Sequence, residues 1–353
     1  QPGEFDAART WQSVAAFDSE PAITTRNVGN PQLAPEVSHE MEVGLDASFL
    51  DERVGLVFTR YDQRTKDMLF QVRNAPSQGT LGTQLMNVGE IHNQGIEISL
   101  NAAIIESQNF RWDANANFST NENEVVSLGG GAPLQVQWTQ WIREGYPVGG
   151  FFDNRYVLNE NGEPEFREDD YIGPAYPTRT FNFSNTFGIG RNLTASFLVD
   201  HKGGHYLESA TSRWMSDAIV QAGEPLYDPS DPSTAQFEPG TPIANWCRGD
   251  ITDPILELMC DREWSELRGN HVHPADNWRL REVSLAYRLP SSIVNRIGAS
   301  SATLSVAGRN LWRSQKYIGL EAEASYTSST HRNQAYFDTP LPRELTTQIS
   351  VNF

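Results

Sequence analysis

Apolar and polar residues alternate one for one through much of this chain, the mark of extended strands with one greasy and one wet face. The pattern is cleanest in the final stretch. Leu345, Thr347, Ile349, Val351 and Phe353 fall on one side; Glu344, Thr346, Gln348, Ser350 and Asn352 fall on the other. Similar runs occur near 37–49, 53–64, 95–104, 110–119, 180–189, 193–199, 282–289 and 301–306, which predicts nine strands. Such a strand suits the edge of a soluble sandwich. It equally suits an outer-membrane barrel, where the apolar face meets lipid and the polar face a wet lumen.

The connections separate the two. Short ones near 51–52, 105–109, 190–191 and 290–300 alternate strictly with long ones near 65–90, 122–177, 204–274 and 313–340. Outer-membrane barrels have short periplasmic turns and long external loops. The polar faces are mostly Asn, Ser, Thr and Gly, while Trp112, Phe118, Phe181, Tyr287 and Phe353 lie near strand ends, as interfacial girdles require. The predicted fold is all-β: an antiparallel transmembrane β-barrel segment, about nine strands of a larger barrel, with long extracellular loops. Residues 1–36, rich in Pro, Asn and Gly, read as an extracellular loop region, and 37–353 as the barrel part. Tyr146 to Leu158 looks strand-like, predicting a hairpin excursion inside 122–177, and 209–220 suits a short helix.

Composition narrows the function. The formal charge of −18, from 27 basic and 45 acidic residues, argues against a nucleic-acid footprint. Hydrophobic content is 38%, and no apolar run approaches the roughly 20 residues a spanning helix needs. The sequence starts at Gln1 without a signal-like stretch, so the original amino terminus is expected to have been processed away or to lie upstream.

Candidate chemistry is confined to the predicted external loops. Trp138, Trp141, Trp214 and Trp246 lie there, and their faces would stack on sugar rings or pack against a lid protein; the competing expectation is local loop cores. Cys247 and Cys260 are either two free thiols or, given an extracytoplasmic location, a disulfide, the expectation adopted here. The acidic run Glu160, Glu163, Glu165, Glu168, Asp169 and Asp170 reads as a solvated loop rather than a calcium site. His201, His205, His271 and His273 read as exposed loop histidines rather than metal ligands. No G-x-S-x-G, HExxH or P-loop pattern occurs, so no catalytic residue, metal or cofactor is predicted.

Several stretches carry a family resemblance. They are Thr25-Arg26-Asn27-Val28-Gly29-Asn30-Pro31, Tyr61-Asp62-Gln63-Arg64-Thr65-Lys66-Asp67, Asn87-Val88-Gly89-Glu90-Ile91, Gly145-Tyr146-Pro147-Val148-Gly149, Trp278-Arg279-Leu280-Arg281-Glu282-Val283 and Gly308-Arg309-Asn310-Leu311. In this order the sequence resembles the carboxy-terminal barrel part of SusC/RagA-type TonB-dependent outer-membrane receptors. The resemblance implies a barrel of roughly 22 strands, a plug and TonB box outside this chain, and a SusD-like surface lipoprotein as lid. It also implies import of large nutrients, oligosaccharides or peptides, across the bacterial outer membrane, with lipid against the wall. The alternative is a soluble β-sandwich serving as a surface binding or adhesion module through its loop tryptophans; a glycan hydrolase ranks behind both. Enclosure of Leu345, Ile349 and Val351 in a two-layer core would favour the sandwich.

Overall fold

A computed structural model describes residues 5–15, 20–75, 77, 83–162, 164–214, 267–323, 334–336 and 339–353. Nine long strands form a wall: β1 (Val37–Phe49), β2 (Val54–Lys66), β3 (Glu90–Glu106), β4 (Phe110–Thr120), β5 (Arg179–Ile189), β6 (Leu193–Gly203), β7 (Asn277–Arg288), β8 (Ser301–Gln315) and β9 (Glu344–Asn352). Each is antiparallel to its neighbours in sequence, and the order in space is β1 through β9. A tenth strand, Glu122–Ser127, prolongs β4 and pairs with the start of β3, from Gln94↔Glu122 to Glu90↔Ser127.

The short turns are set by local chemistry. Leu50, Asp51 and Glu52 all take positive φ (56°, 54° and 66°), closing the β1–β2 hairpin. Gly190 at φ 61° begins the β5–β6 turn, where a left-handed residue is needed and glycine has no Cβ to clash. The β7–β8 turn is longer: a four-residue helix, Ser291–Val294, packs Val294 against Ala299 and Ala302.

Register keeps one face apolar from strand to strand. One row runs Leu45, Phe58, Ile98, Phe118, Phe181, His201, Trp278. Another, nearer the short turns, runs Ile189, Leu193, Tyr287, Leu304, Ile349. These side chains have no second layer over them. Leu345 is 78% exposed, Ile349 68% and Met41 67%. Leaving a Leu or Ile in water forgoes about 1.5–3 kcal/mol each, so a face this wide requires an apolar solvent. The sandwich alternative is overturned here, because the residues that would form its core are open. Phe181, Phe183, Trp278 and His201 make ring contacts on this face, with His201 stacked on Trp278 at 4.4 Å between centroids.

The opposite face is hydrogen-bonded and charged. The hydroxyls of Ser119 and Thr180 lie 2.6 Å apart and those of Ser196 and Ser284 2.7 Å apart. Arg309 donates to Glu282 at 2.8 Å. This is the chemistry of a wet lumen.

Two stretches hold more structure than their patterns suggest. Thr10–Ala15 pairs with Pro21–Asn27 inside the region read as loop. The first long connection, now 67–89, contains the hairpin Leu69–Arg73/Thr83–Asn87. The two are tied together: Asn30 Nδ2 donates to the Leu85 carbonyl at 3.1 Å, and Asn87 Oδ1 accepts from the Ala34 amide at 2.7 Å. Both pairings are stabilised by a neighbour, so neither needs a sustained alternation of its own. The hairpin expected around Tyr146–Leu158 is present as Gly150–Leu158 paired with Pro164–Gly173. The helical expectation at 209–220 is met by a turn at 210–214; the rest of that range lies outside the described residues.

A buried amide lies on the apolar face. Asn185 of β5 shares a row with Ala114 and Phe197 and is buried. The Trp112 indole N–H donates to its Oδ1 at 2.8 Å. Trp112→Phe removes that donor and strands a buried acceptor, so the wall is expected to lose about 1–3 kcal/mol. Denaturant unfolding in detergent micelles checks this, with Asn185→Leu in the same background expected to restore most of the loss.

Candidate functional site: the cap over the lumen

The four long connections leave the wall at one end. Three apolar clusters stitch them in sequence order. Met68 and Phe70 of the first pack against Ile91, Val125, Leu128 and Ile142, joining it to the second. Phe151, Ile172 and Ala175 of the second meet Val272 of the third. Leu207 and Ala275 of the third meet Tyr317, Ala322 and Ala335 of the fourth. The wall has little buried core of its own; much of the buried apolar surface lies in this cap.

An ion-pair cluster roots the cap in the lumen face. Against β6, a register shift makes Arg281 an extra residue in β7, while β8 sets two residues, Asn310 and Leu311, opposite it. Such a bulge re-aims side chains, and here Arg279 and Arg281 both reach Glu323. Glu321, just past β8, is held by Arg279 and by Arg313 at 2.8 Å. Glu323 is held by Arg281, by Arg279 at 3.2 Å and by Lys202 at 3.0 Å. Arg281 also reaches Asp200 at 2.6 Å. Burial alone would raise the Glu323 carboxyl, but Arg281 and Lys202 hold it below the usual carboxylate range. Arg279 and Glu321 are almost wholly buried, and removing one partner of such a pair costs about 3–5 kcal/mol. Arg279→Met is therefore expected to loosen residues 316–323 selectively, read as faster amide exchange there with β1–β5 unchanged.

The second, third and fourth connections meet in a buried polar knot. Glu208 Oε2 accepts from Thr139 Oγ1 at 2.7 Å, and Arg268 lies 3.6 Å from its other oxygen. Gln137 donates to Gln334 at 2.9 Å. Glu208 and Gln334 face each other in a short parallel pairing. Burial pushes the Glu208 and Asp153 carboxyls up. No local pattern marks these residues, since they meet only through the packing of separate loops.

The sequence-derived tryptophans divide. Trp138 sits in the turn between Leu134–Gln135 and Gln140–Ile142, exposed on one side, with the Arg268 guanidinium 3.3 Å from its ring centroid on the other. Trp141, three residues on, is half-buried, lies 4.7 Å from the Arg143 guanidinium and lines a cavity of about 740 Å³ with Phe70, Leu134, Val136 and Ile142. Trp214 is half-exposed at the end of the 210–214 turn. Trp246, Cys247 and Cys260 lie outside the described residues. Within the acidic run, Asp169 is clasped by Arg143 at 2.6 and 2.7 Å, Asp170 by Arg155 at 2.7 Å and Glu165 by Arg167 at 3.2 Å. Among the described residues no group of three or more His, Cys, Asp or Glu is placed to hold a metal.

The histidine expectation needs correction, because His205, His271 and His273 are buried rather than exposed. His271 Nδ1 lies 2.8 Å from Ser212 Oγ. Burial pushes His205 down to about 4, against nearby Asp276 and Glu323 and with Lys202 and His201. Burial and His271 push His273 down to about 3. Folded values below the unfolded one favour the neutral form, so this stability is present above about pH 6.5 and is lost as pH falls toward 4. Glu208 has the opposite sign, because its raised value makes protonation favour the packed cap. Acidification from pH 7 to 4.5 is therefore expected to speed amide exchange at 205–212 and 270–275. His273→Leu should blunt the effect and Glu208→Gln should steepen it.

Comparison with known proteins fits this architecture. Residues 4–200 match the family described as TonB dependent receptor-like, beta-barrel. TonB-dependent receptor P3 of Formosa agariphila is 26% identical over 94% of this chain and 35% of its own length. TonB-dependent receptor SusC of Bacteroides thetaiotaomicron is 29% identical over 38% of this chain and 15% of its own. The RagAB peptide transporter structure superposes with a TM-score of 0.74 at 18% identity, covering 99% of this chain and 39% of that one, a likeness of fold. The chain thus spans about a third of the length of receptor P3. With the family matched across more than half the chain, and a wall greasy outside and wet inside, this protein belongs to the TonB-dependent receptor-like β-barrel family.

Proposed function

We propose that the chain forms part of the wall and outer cap of a bacterial outer-membrane importer of large nutrients, oligosaccharides or peptides. The observation that carries this reading is the wall itself: one continuous uncovered apolar face, one polar face, and all long loops at one end. The cap captures the ligand outside the cell, and the polar face guides it inward. Energy enters through TonB, acting on a plug elsewhere in the receptor. A SusD-like surface lipoprotein covers the cap as a lid. Lipid is the remaining partner, against the row of Phe118, Phe181 and Trp278. No bond is made or broken, so the protein is a carrier rather than an enzyme.

Within the cap, Trp138 and Trp141 are the first residues to test. Trp138 offers a free ring face, and Trp141 lines a cavity with Phe70 and Ile142. The protein is expected to require detergent or a bilayer to stay monodisperse, which light scattering on dilution below the critical micelle concentration checks. A monodisperse lipid-free protein would sink the importer reading. Trp138→Ala with Trp141→Ala is expected to weaken ligand uptake by bacteria carrying the receptor about tenfold, equivalent to about 1.4 kcal/mol; unchanged uptake would remove these two residues from the capture site.

A further inference from the structure

The wall forks at its cap end. The β4–β5 ladder ends at Thr120↔Arg179. Beyond it, Glu122–Ser127 stays with β3. Residues 174–178 instead turn toward the third connection, where the Tyr206 amide donates to the Pro174 carbonyl at 2.9 Å. The Asn121 amide, donating to the Thr178 carbonyl at 2.9 Å, closes the floor of the fork. Between the branches lies a cavity of about 830 Å³.

Both faces of the wall line this cavity. Phe58, Ile98 and Phe118 share a row on the apolar outer face. Two residues further toward the cap, Arg60, Ile96 and Thr120 keep that facing, and Gln94 and Glu122 follow two residues beyond Ile96 and Thr120. Asn93 and Asn123, paired with each other, have the lumen-side facing. The fork is therefore a gap that reaches the outer surface of the wall.

Its depth follows from strand geometry. The row of Phe118, Phe181 and Trp278 has the aromatic character of a membrane interface. Arg60 lies one step of about 7 Å along the strand past that row, within the headgroup layer of roughly 5–7 Å. Arg60 is exposed and has no ion pair or hydrogen bond among the described residues. Glu122 is also exposed; Gln94 Nε2 donates to its Oε2 at 2.9 Å, and its second oxygen stays open. The other carboxylate near Arg60, Asp62, faces His92 at 3.0 Å. Arg60 and Glu122 stand on opposite sides of β3, their Cα atoms about 12 Å apart. They are held apart yet both point outward, which leaves one cation and one anion for a small zwitterion between them. Ile96, Pro147 and Tyr176 add apolar surface around the pair.

We propose that the fork cavity seats the zwitterionic headgroup of a membrane phospholipid, its phosphate on Arg60 and its ammonium on Glu122. The acyl chains would then lie down the outer face over Ile98 and Phe118, and the headgroup would fill the gap in the wall. A guanidinium matches phosphate oxygens in pairs, which favours this orientation. The proposal rests on the reading of these strands as a membrane wall and names the lipid against it.

The test is calorimetry on the protein in an uncharged maltoside detergent, titrated with the dihexanoyl forms of phosphatidylethanolamine and phosphatidic acid. The ethanolamine lipid is expected to bind, and Arg60→Ala to weaken both lipids about tenfold. Glu122→Gln is expected to weaken the ethanolamine lipid about tenfold and to leave phosphatidic acid no weaker, because only the first carries an ammonium. That split also separates loss of a charge partner from loss of folding, since misfolding would weaken both lipids. Free phosphoethanolamine, lacking acyl chains, is expected to bind at least about tenfold more weakly than its lipid. No binding of the ethanolamine lipid, indifference to both variants, equal binding of free phosphoethanolamine, or displacement of the lipid by trialanine would overturn the lipid site. The importer reading fails separately, through the dilution test above.

Discussion

Everything in this protein depends on backbone pairing where water is absent. A strand in hydrocarbon cannot leave amide or carbonyl groups unsatisfied, so each must bond to a strand on either side. The simple order β1 to β9 meets that demand for the seven inner strands. It leaves β1 and β9 each with one neighbour among the described residues, which fits a segment of a larger closed wall. On the apolar face, the Trp112 indole N–H meets the Asn185 side-chain oxygen.

Because no protein layer covers the outer face, the wall gains little from a protein core. Tertiary packing is displaced to the cap, where the clusters around Val125, Phe151 and Tyr317 join each connection to the next. The arginines of β7 and β8 then fix the cap to the lumen face through Glu321 and Glu323. The cap is thus fixed to the wall by these ion pairs and held together by the clusters that join its loops. Burial shifts Glu208 up and His205 and His273 down, so protonation bears on the joints of the cap.

The wall was legible in the sequence because a strand with different solvents on its two faces must alternate, and Leu345 to Phe353 does so without a break. The strict succession of short and long connections supplied the orientation. The loop tryptophans were legible only as types in loops: Trp138 and Trp141 turn out to share a hairpin turn and the strand after it, yet one stacks on Arg268 and the other lines a cavity. The loop histidines were misread because a polar, irregular stretch looks solvent-exposed until its neighbours are known.

The sequence by itself therefore determined the β class, the two faces and the end at which the loops gather, since these follow from local period and connection length. Only the tertiary structure decided which loop residues meet: Thr139 with Glu208, Gln137 with Gln334, Arg279 with Glu321, and the fork between Glu122–Ser127 and residues 174–178. Those contacts join residues up to 197 positions apart, and contacts between loops without regular repeats leave no periodic trace in the chain that makes them.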